Sequence, residues 1–577
     1  MSSFIFLLLC LQLSLAASVD PISVIIPTKP TSTHSVRENF LGISFELSFV
    51  DEYFGNDSTT IPSTFVTYLN NLRSRVSNNP VRIRIGGNSM DTSKYISTQK
   101  SPMIQRIGTA AASADNQPVN YGPVLWDVLS KVSTSVGGVN YLVGLSLEDP
   151  NDLTVPKAAG DSYKALGSSL EAYLLGNEPD LYGPHGFRQG TSNYAPSNYM
   201  DEFQTASGHL SNTTSGNLLS KNNLAGPTIC CNWGLDTLIN GGYISRFGNI
   251  LEYISLQHYP QNNCFGSYQY NNTYYIQHSN VVDLAQWSKP GLDLSFSNNK
   301  KVILSEFNSA SCGGIEGISN TFAVGSLWTI DYALQLAAVG YTAAYIHTRE
   351  KGISYNVFAP PDGPSGASGP WTTNPPFYAL MVVAEALQSK SGDSIVVDLN
   401  IGGPYSGYAV HDASDKTVQQ LVFFNFANVS ASAGLKQTFK ISSNTFASST
   451  SKKVTVKYLV GNSMLETKNI GWGGQTLAGV GDAKMISSSQ SWAPANKPVD
   501  CSNGCSIDVP APGLAVVFAG GNVSSTQSST SSRTSITNIP SQTTQSTLSS
   551  SSVRFGHEYI GLLLTLVLVI KHFIGLL

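Results

Sequence analysis

Eight short apolar runs, separated by stretches of helical spacing, constrain this chain more than any other feature of it. The runs are FLGISFELSF from Phe40, VRIRIGG from Val81, NYLVGLSL from Asn140, EAYLLGNEPD from Glu171, LAGPTICC from Leu224, YISLQHYP from Tyr253, KVILSEFNS from Lys301 and AAYIHTR from Ala343. Helix candidates between them include residues 63–76, 122–136, 197–210 and 321–339. Strand and crossover helix alternating eight times predict an α/β fold, a (β/α)8 barrel whose chemistry sits at the C-terminal ends of the strands. The barrel is expected over residues 40–390. From about Ser394 the texture changes to alternating strands without long helices (SIVVDL, YSGYAVHD, VQQLVFFNF, QTFKISS, VTVKYLVG and GLAVVFAG), which predicts an antiparallel β-sandwich over 391–520. Within residues 19–39, the alternating segment from Pro21 to Pro27 is expected to pair with that sandwich.

The two ends bear on the compartment. An apolar run from Phe4 to Leu15 closed by Ala16, Ala17 and Ser18 has the shape of a cleaved signal peptide, residues 1–18, although the usual positive charge before it is missing. From Ser524 to Ser552 the chain is almost all Ser, Thr and Gln, a composition that cannot bury apolar surface and predicts an extended stalk over residues 521–552. Small residues from Ser549 to Ser552, a mostly polar spacer and the apolar run from Ile560 to Ile570 make residues 553–577 resemble a signal exchanged for a glycosylphosphatidylinositol anchor. Lys571 interrupts that run well before the roughly 20 residues a membrane span needs. An ordinary tail anchor or single span is the alternative. Sequons at Asn56, Asn212, Asn271, Asn428 and Asn522 are candidates for glycosylation along the same secretory route.

Composition narrows the partners. Lys+Arg 33 against Asp+Glu 37 leaves a net charge of −4, and no dense basic face is visible, so nucleic acid is not an expected partner. With Cys10 removed in the signal peptide, six cysteines remain: Cys230, Cys231, Cys264, Cys312, Cys501 and Cys505. An even number in an oxidising compartment reads as disulfides, and Cys501 and Cys505 bracket a Ser-Asn-Gly turn tight enough to join them. The other four lack the spacing of a zinc site, and neither metal nor cofactor is expected.

The ends of the fourth and seventh runs carry the chemistry. Asn177-Glu178-Pro179-Asp180 and Ser305-Glu306-Phe307-Asn308 each place a carboxylate at the catalytic rim of the predicted barrel. Hydrolysis of an acetal between sugars needs one carboxylic acid to protonate the leaving oxygen and one carboxylate to attack or stabilise the anomeric carbon. A lone glutamate after a strand is usually a solvated loop charge; a pair on strands four and seven is a much stronger signal.

With RIRIGGNSMD from Arg82, LLGNEPDLYG from Leu174, LQHYP from Leu256 and ILSEFNSASCGG from Ile303, the chain resembles glycoside hydrolase family 79, the β-glucuronidases and heparanase, over about Asp20 to Gly520. The resemblance implies Glu178 as general acid/base, Glu306 as nucleophile, Asn177 as donor to the sugar 2-hydroxyl and Glu46 as acceptor from sugar hydroxyls. Asn88 and Asp91, in the rim loop after the second strand, are further substrate-binding candidates. Arg82 and Arg84 project from one face of that strand, and an arginine there could hold Glu306 ionised; a structural ion pair is the other reading. His258 and Tyr259 end the strand beside the nucleophile, where either could orient it, unless the histidine is a satisfied core residue.

Substrate identity is less constrained. A loop that resembles the uronate-recognising loop of the glucuronidases follows the nucleophile, and within it Ser311 and Gly313 could offer hydroxyl and backbone N–H groups. Only scattered basic pairs such as Lys300-Lys301 and Lys452-Lys453 are present, against the clusters a heparanase-like endo-enzyme would use for sulfates. The reading is therefore a secreted or surface-anchored retaining exo-β-glucuronidase acting on a glucuronic-acid-containing oligosaccharide or glycoside. No protein partner is implied, and membrane contact is expected only through the lipid anchor. A β-glucosidase or β-xylosidase, a heparanase-like endo-glucuronidase and a non-enzymatic wall-anchored carbohydrate-binding protein are the alternatives.

Overall fold

The computed structural model describes residues 20–77, 79–108, 117–188, 194–363, 367–446, 452–489 and 496–521. The expected signal peptide, stalk, anchor signal and the sequon at Asn522 lie outside the described residues. Of the other sequons, Asn212, Asn271 and Asn428 are exposed and Asn56 is half-buried.

Eight parallel strands close into a barrel: β1 (Leu41–Glu46), β2 (Val81–Gly86), β3 (Val139–Leu145), β4 (Leu170–Leu175), β5 (Leu224–Ile229), β6 (Leu251–His258), β7 (Lys301–Phe307) and β8 (Ala343–Thr348). Each pairs with its sequence neighbours, and β8 returns to β1. The main return helices are α1 (Ser63–Arg73), α2 (Pro123–Val136), α3 (Thr154–Leu166), α4 (Pro196–His209), α5 (Leu235–Asn240), α6 (Lys289–Ser297), α7 (Thr329–Val339) and α8 (Pro375–Ala386). Proline within the first turn of α2, α4, α6 and α8 marks their starts, where no intrahelical N–H is lost. A π-helical turn, Phe322–Trp328, runs directly into α7. The combined helix Phe322–Val339 is apolar and long enough to cross a membrane, yet 89% of it is buried inside the protein. Its apolarity is that of a core helix wedged against α8 and the first sandwich strand.

The sandwich explains that burial. Its main sheet contains β9 (Ser394–Asp398), β10 (Tyr405–Asp412), β11 (Val418–Asn425), β12 (Lys453–Gly461) and β13 (Gly513–Phe518), with β13 between β11 and β12. On β11, Leu421 and Phe423 face a smaller sheet, and Phe423 stacks on Phe439 at 4.7 Å. The alternate residues Val422 and Phe424 join the barrel's own core. Both faces of the main sheet are therefore dry, and its strands are apolar at successive positions. The smaller sheet holds Lys436–Ile441, Cys505–Pro510 and Ile22–Ser23, the last pairing in parallel in an otherwise antiparallel sandwich.

Two buried charge clusters fasten barrel to sandwich. Glu385 of α8 accepts from Arg75 Nε at 2.8 Å, Lys457 Nζ at 2.6 Å and Trp472 Nε1 at 2.9 Å. His278 lies between Asp331 of α7, at 3.0 Å, and Asp398 of β9, at 3.2 Å. Bonds to both carboxylates raise the His278 pKa to about 10, although burial alone would lower it.

Candidate active site

Strand alternation delivers most of the site. On β1 the inward positions are Gly42, Ser44 and Glu46; on β2, Arg82 and Arg84; on β6, Tyr253, Ser255 and Gln257; on β8, Ala343, Tyr345 and His347. Along β7 the alternation breaks. The register of β7 slips by one residue against both neighbours between Leu304 and the end of the strand, so Ser305 and Glu306 both reach the interior. Ser305 accepts from Ser255 Oγ at 2.8 Å, and Glu306 meets Arg84. A bulge of this kind re-aims a side chain that strict alternation would turn outward.

Glu178 is aimed by backbone conformation instead. It adopts left-handed φ/ψ of 48° and 54°, and its N–H donates to the carbonyl of Thr228, itself at φ 59°, at 3.1 Å. Such conformations in side-chain-bearing residues cost of order 1–3 kcal/mol each and persist only where surrounding contacts enforce them. Asp91 is one enforcer: buried, it accepts from Asn177 N–H at 2.9 Å, Leu147 N–H at 2.8 Å and Tyr182 Oη at 2.8 Å. Burial raises its pKa to about 7.

Around Glu306 the polar groups are arranged to favour the carboxylate. Arg84, 1% exposed, donates through Nη1 to Glu306 Oε2 and through Nη2 to Asn177 Oδ1 at 2.7 Å. Tyr259 Oη donates to Glu306 Oε1 at 2.7 Å, and His347 Nδ1 lies 3.9 Å from Oε2. Burial would push the Glu306 pKa up, but His347, Arg84 and the Tyr259 hydroxyl outweigh it, and the net shift is downward. Glu178 is displaced the other way. Burial raises its pKa well above the usual carboxylate range, and the negative charge of Glu306 adds to the effect.

The Gln257 amide bridges Glu178 and Arg84: with its nitrogen turned toward the acid it donates to Glu178 Oε1 at 2.9 Å, and its oxygen accepts from Arg84 Nη2 at 3.2 Å.

The remaining predicted residues divide. Asn177 sits at the centre, its Nδ2 donating to Asn88 Oδ1 at 2.7 Å. Glu46 accepts from Ser89 N–H at 2.9 Å and lies 3.3 Å from His347 Nε2. Gly87, at φ 91°, packs so closely over Glu46 that a Cβ there would lie 2.0 Å from its carboxylate oxygen, so only glycine fits. Ser311 is pinned by its backbone, donating to Gln261 O at 3.0 Å and accepting from Asn263 N–H at 3.2 Å, while Gly313 accepts from Ser354 Oγ at 3.0 Å. Three residues are corrected. Arg82 does not support Glu306: it lies one layer deeper, paired with Glu171 at 2.8 Å, because residues two apart on a strand share a face but not a depth. His258 does not orient the nucleophile, since its ring stacks on Trp287 at 4.2 Å and burial lowers its pKa to about 4. Asp91 is not placed to bind sugar, its oxygens being taken up by the bonds described above.

Sequence reasoning missed His347, Gln257 and Ser44. Each shares the inward parity of a strand already identified, and that parity was the available signal. The six cysteines pair as Cys230–Cys231, Cys264–Cys312 and Cys501–Cys505. The second of these ties the loop after β6 to the loop after the nucleophile.

Residues 407–516 match the family model described as the glycosyl hydrolase family 79 C-terminal beta domain. No curated protein matches the chain. Among solved structures, a 4-O-α-L-rhamnosyl-β-D-glucuronidase from Fusarium oxysporum 12S in complex with Rha-GlcA is similar with a TM-score of 0.68 and 19% identity, covering 86% of this chain and 100% of that one. A family 51 arabinofuranosidase from Xanthomonas axonopodis pv. citri gives a TM-score of 0.52 at 12% identity over 84% of this chain and 97% of that one. A family 51 α-L-arabinofuranosidase from Bifidobacterium longum gives 0.55 at 13% identity over 87% and 100%. At these identities the likeness is one of fold.

Proposed function

We propose that this chain, a glycoside hydrolase whose C-terminal β domain is that of family 79, is a retaining exo-β-glucuronidase working by double displacement. The observation that carries the mechanism is a pair of buried carboxyls in opposed surroundings: Arg84 and the Tyr259 hydroxyl bond to Glu306 and favour its carboxylate, whereas burial beside that negative charge favours the acid form of Glu178. Glu306 attacks the anomeric carbon while the Glu178 proton passes to the departing glycosidic oxygen, leaving a glycosyl ester on Glu306. With its proton gone, Glu178 then takes one from water, which attacks the same carbon and releases Glu306 as a carboxylate. This route requires the two carboxyls about 5 to 5.5 Å apart and gives a β-configured first product. Asn177 and Glu46 are assigned to sugar hydroxyls.

Glucuronate as the glycone is supported by the loop after β7, where the Ser311 hydroxyl and Gly313 N–H are the donors assigned to the sugar carboxylate. The Rha-GlcA bound to the Fusarium enzyme, of the same fold, points the same way. The test is a panel of aryl β-glycosides. Turnover of the glucuronide well above the glucoside, galactoside and xyloside is expected, and a preferred neutral glycone would overturn the assignment.

The same reading has the enzyme exported and lipid-anchored through a serine among Ser549–Ser552. Three disulfides and exposed sequons support an oxidising, secretory route. Mass spectrometry of surface-bound protein that recovered peptides from residues 553–577 would refute the anchor exchange.

A further inference from the structure

We propose that the tip of β5, where Cys230 and Cys231 are joined to each other, is the wall against which the leaving group sits, and that it selects leaving groups with an apolar face. The inference rests on Glu178 as acid/base. An acid must lie beside the oxygen it protonates, so the leaving group is held next to Glu178. The nucleophile side is taken by Arg84, His347 and Tyr259, carried on or just after β2, β8 and β6. What borders Glu178 on its own side is β5: the Glu178 N–H bonds to Thr228 O, and Cys230 and Cys231 follow directly after the strand ends at Ile229.

This tip is rigid. Asp180, two residues after the acid and 3% exposed, accepts from the N–H groups of Cys230 at 3.2 Å, Cys231 at 2.8 Å and Asn232 at 2.7 Å. Asn232 Nδ2 returns a bond to Asp180 O at 3.1 Å. The sulfurs and one oxygen of Asp180 lie within 4.8 Å of one another, a grouping that could suggest a metal. Because the sulfurs are bonded together and the carboxylate is filled by three N–H groups, no thiolate is left to ligate, and the cluster serves to brace the loop.

The donors at this tip are largely taken: the three backbone N–H groups go to Asp180, and the Nδ2 of exposed Asn232 goes to Asp180 O. Cys231 is exposed and Cys230 buried, and half-buried Trp233 follows, packed on Tyr194 at 5.5 Å. A divalent sulfur offers polarisable contact and only weak hydrogen bonding, which suits an aromatic or otherwise apolar leaving group better than a second, hydroxyl-rich sugar.

The experiment compares kcat/KM for an aryl and a methyl β-glucuronide in wild type and in the double variant C230A/C231A. The aryl-to-methyl ratio is expected to fall roughly three- to tenfold, the size of a lost sulfur–aromatic contact. If the disulfide served only to position Glu178, the methyl substrate, with the leaving group more dependent on acid assistance, would suffer more and the ratio would rise. A rise or an unchanged ratio overturns the proposal. Should the double variant fail to fold, Asn232→Trp on the exposed rim gives the second reading: narrowing the wall should lower turnover of a polycyclic aryl glucuronide relative to the methyl one, and an unchanged ratio counts against the proposal. Failure of the glucuronidase reading would show separately, as poor wild-type turnover of both glucuronides, and the same comparison would then be run on the preferred glycone.

Discussion

Replacing Tyr259 by Phe removes one hydrogen bond to the nucleophile and little else. The hydroxyl donates to Glu306 Oε1 at 2.7 Å, the carboxylate is 7% exposed, and Arg84 stays on the opposite oxygen. A bond to a charged group in so dry a site is worth about 1.5 to 3 kcal/mol. The second half of the reaction releases Glu306 as a carboxylate, so the bond contributes to that transition state. On an activated aryl substrate, for which this half limits turnover, kcat should fall about 10- to 100-fold at 1.4 kcal/mol per factor of ten. The pH dependence gives an independent check. Tyr259 is one of the groups that lower the Glu306 pKa, so its loss raises that pKa and moves the acid limb of kcat/KM to higher pH. The basic limb, set by loss of the Glu178 proton, should move less. Profiles over the full pH range for wild type and variant measure both. A variant with kcat within twofold of wild type and an unmoved acid limb would show that Tyr259 only fills space, and movement of the basic limb alone would exchange the roles given to the two glutamates.

Glu306→Gln should lose activity on all substrates, whereas Glu178→Ala should lose far more on alkyl than on activated aryl glycosides; equal losses, read from kcat/KM across leaving groups, would remove the role assignment. His278→Asn should destabilise by roughly 3 kcal/mol at pH 6, since it leaves Asp331 buried without its cation. Because the folded His278 pKa is raised to about 10 from 6.5, this contribution is fully present below pH 6.5 and is lost toward pH 10, so denaturant midpoints of wild type and variant should converge as pH rises. Glu385→Gln should cost roughly 3 to 5 kcal/mol by leaving Arg75 and Lys457 buried without a counter-charge, measurable by denaturant unfolding with kcat of the folded fraction unchanged.

The barrel was legible in the sequence because each β/α unit is local: a run of six to eight residues, a helix and a polar rim repeat along the chain. Glu178 and Glu306 were legible because chemistry narrows the residue types. What could not be read is what depends on contacts between distant strands. Strict alternation on β7 would have turned Glu306 away from the barrel, and the bulge that corrects it exists only against β6 and β8. The depth of Arg82, the stacking of His258 on Trp287 and the diversion of Asp91 to the Asn177 turn are all set by partners 29 or more residues away. His347 and Gln257 carried the right parity, but an uncharged or weakly charged residue inside a strand has no chemical mark that separates a site from a core.

The two dry faces of the sandwich's main sheet have a consequence for how such enzymes can be altered. A carbohydrate-binding module joined by a linker can be exchanged among hydrolases because each partner keeps its own wetted surface. Here α8 is buried at every position from Pro375 to Ala386, and Val422 and Phe424 belong to the same core as the barrel. Cutting the chain near residue 390 would bare that helix to water as a greasy, aggregation-prone stripe. Barrel and sandwich must therefore be inherited, expressed and engineered as one unit, and domain swaps within this architecture belong at the loops of the catalytic rim.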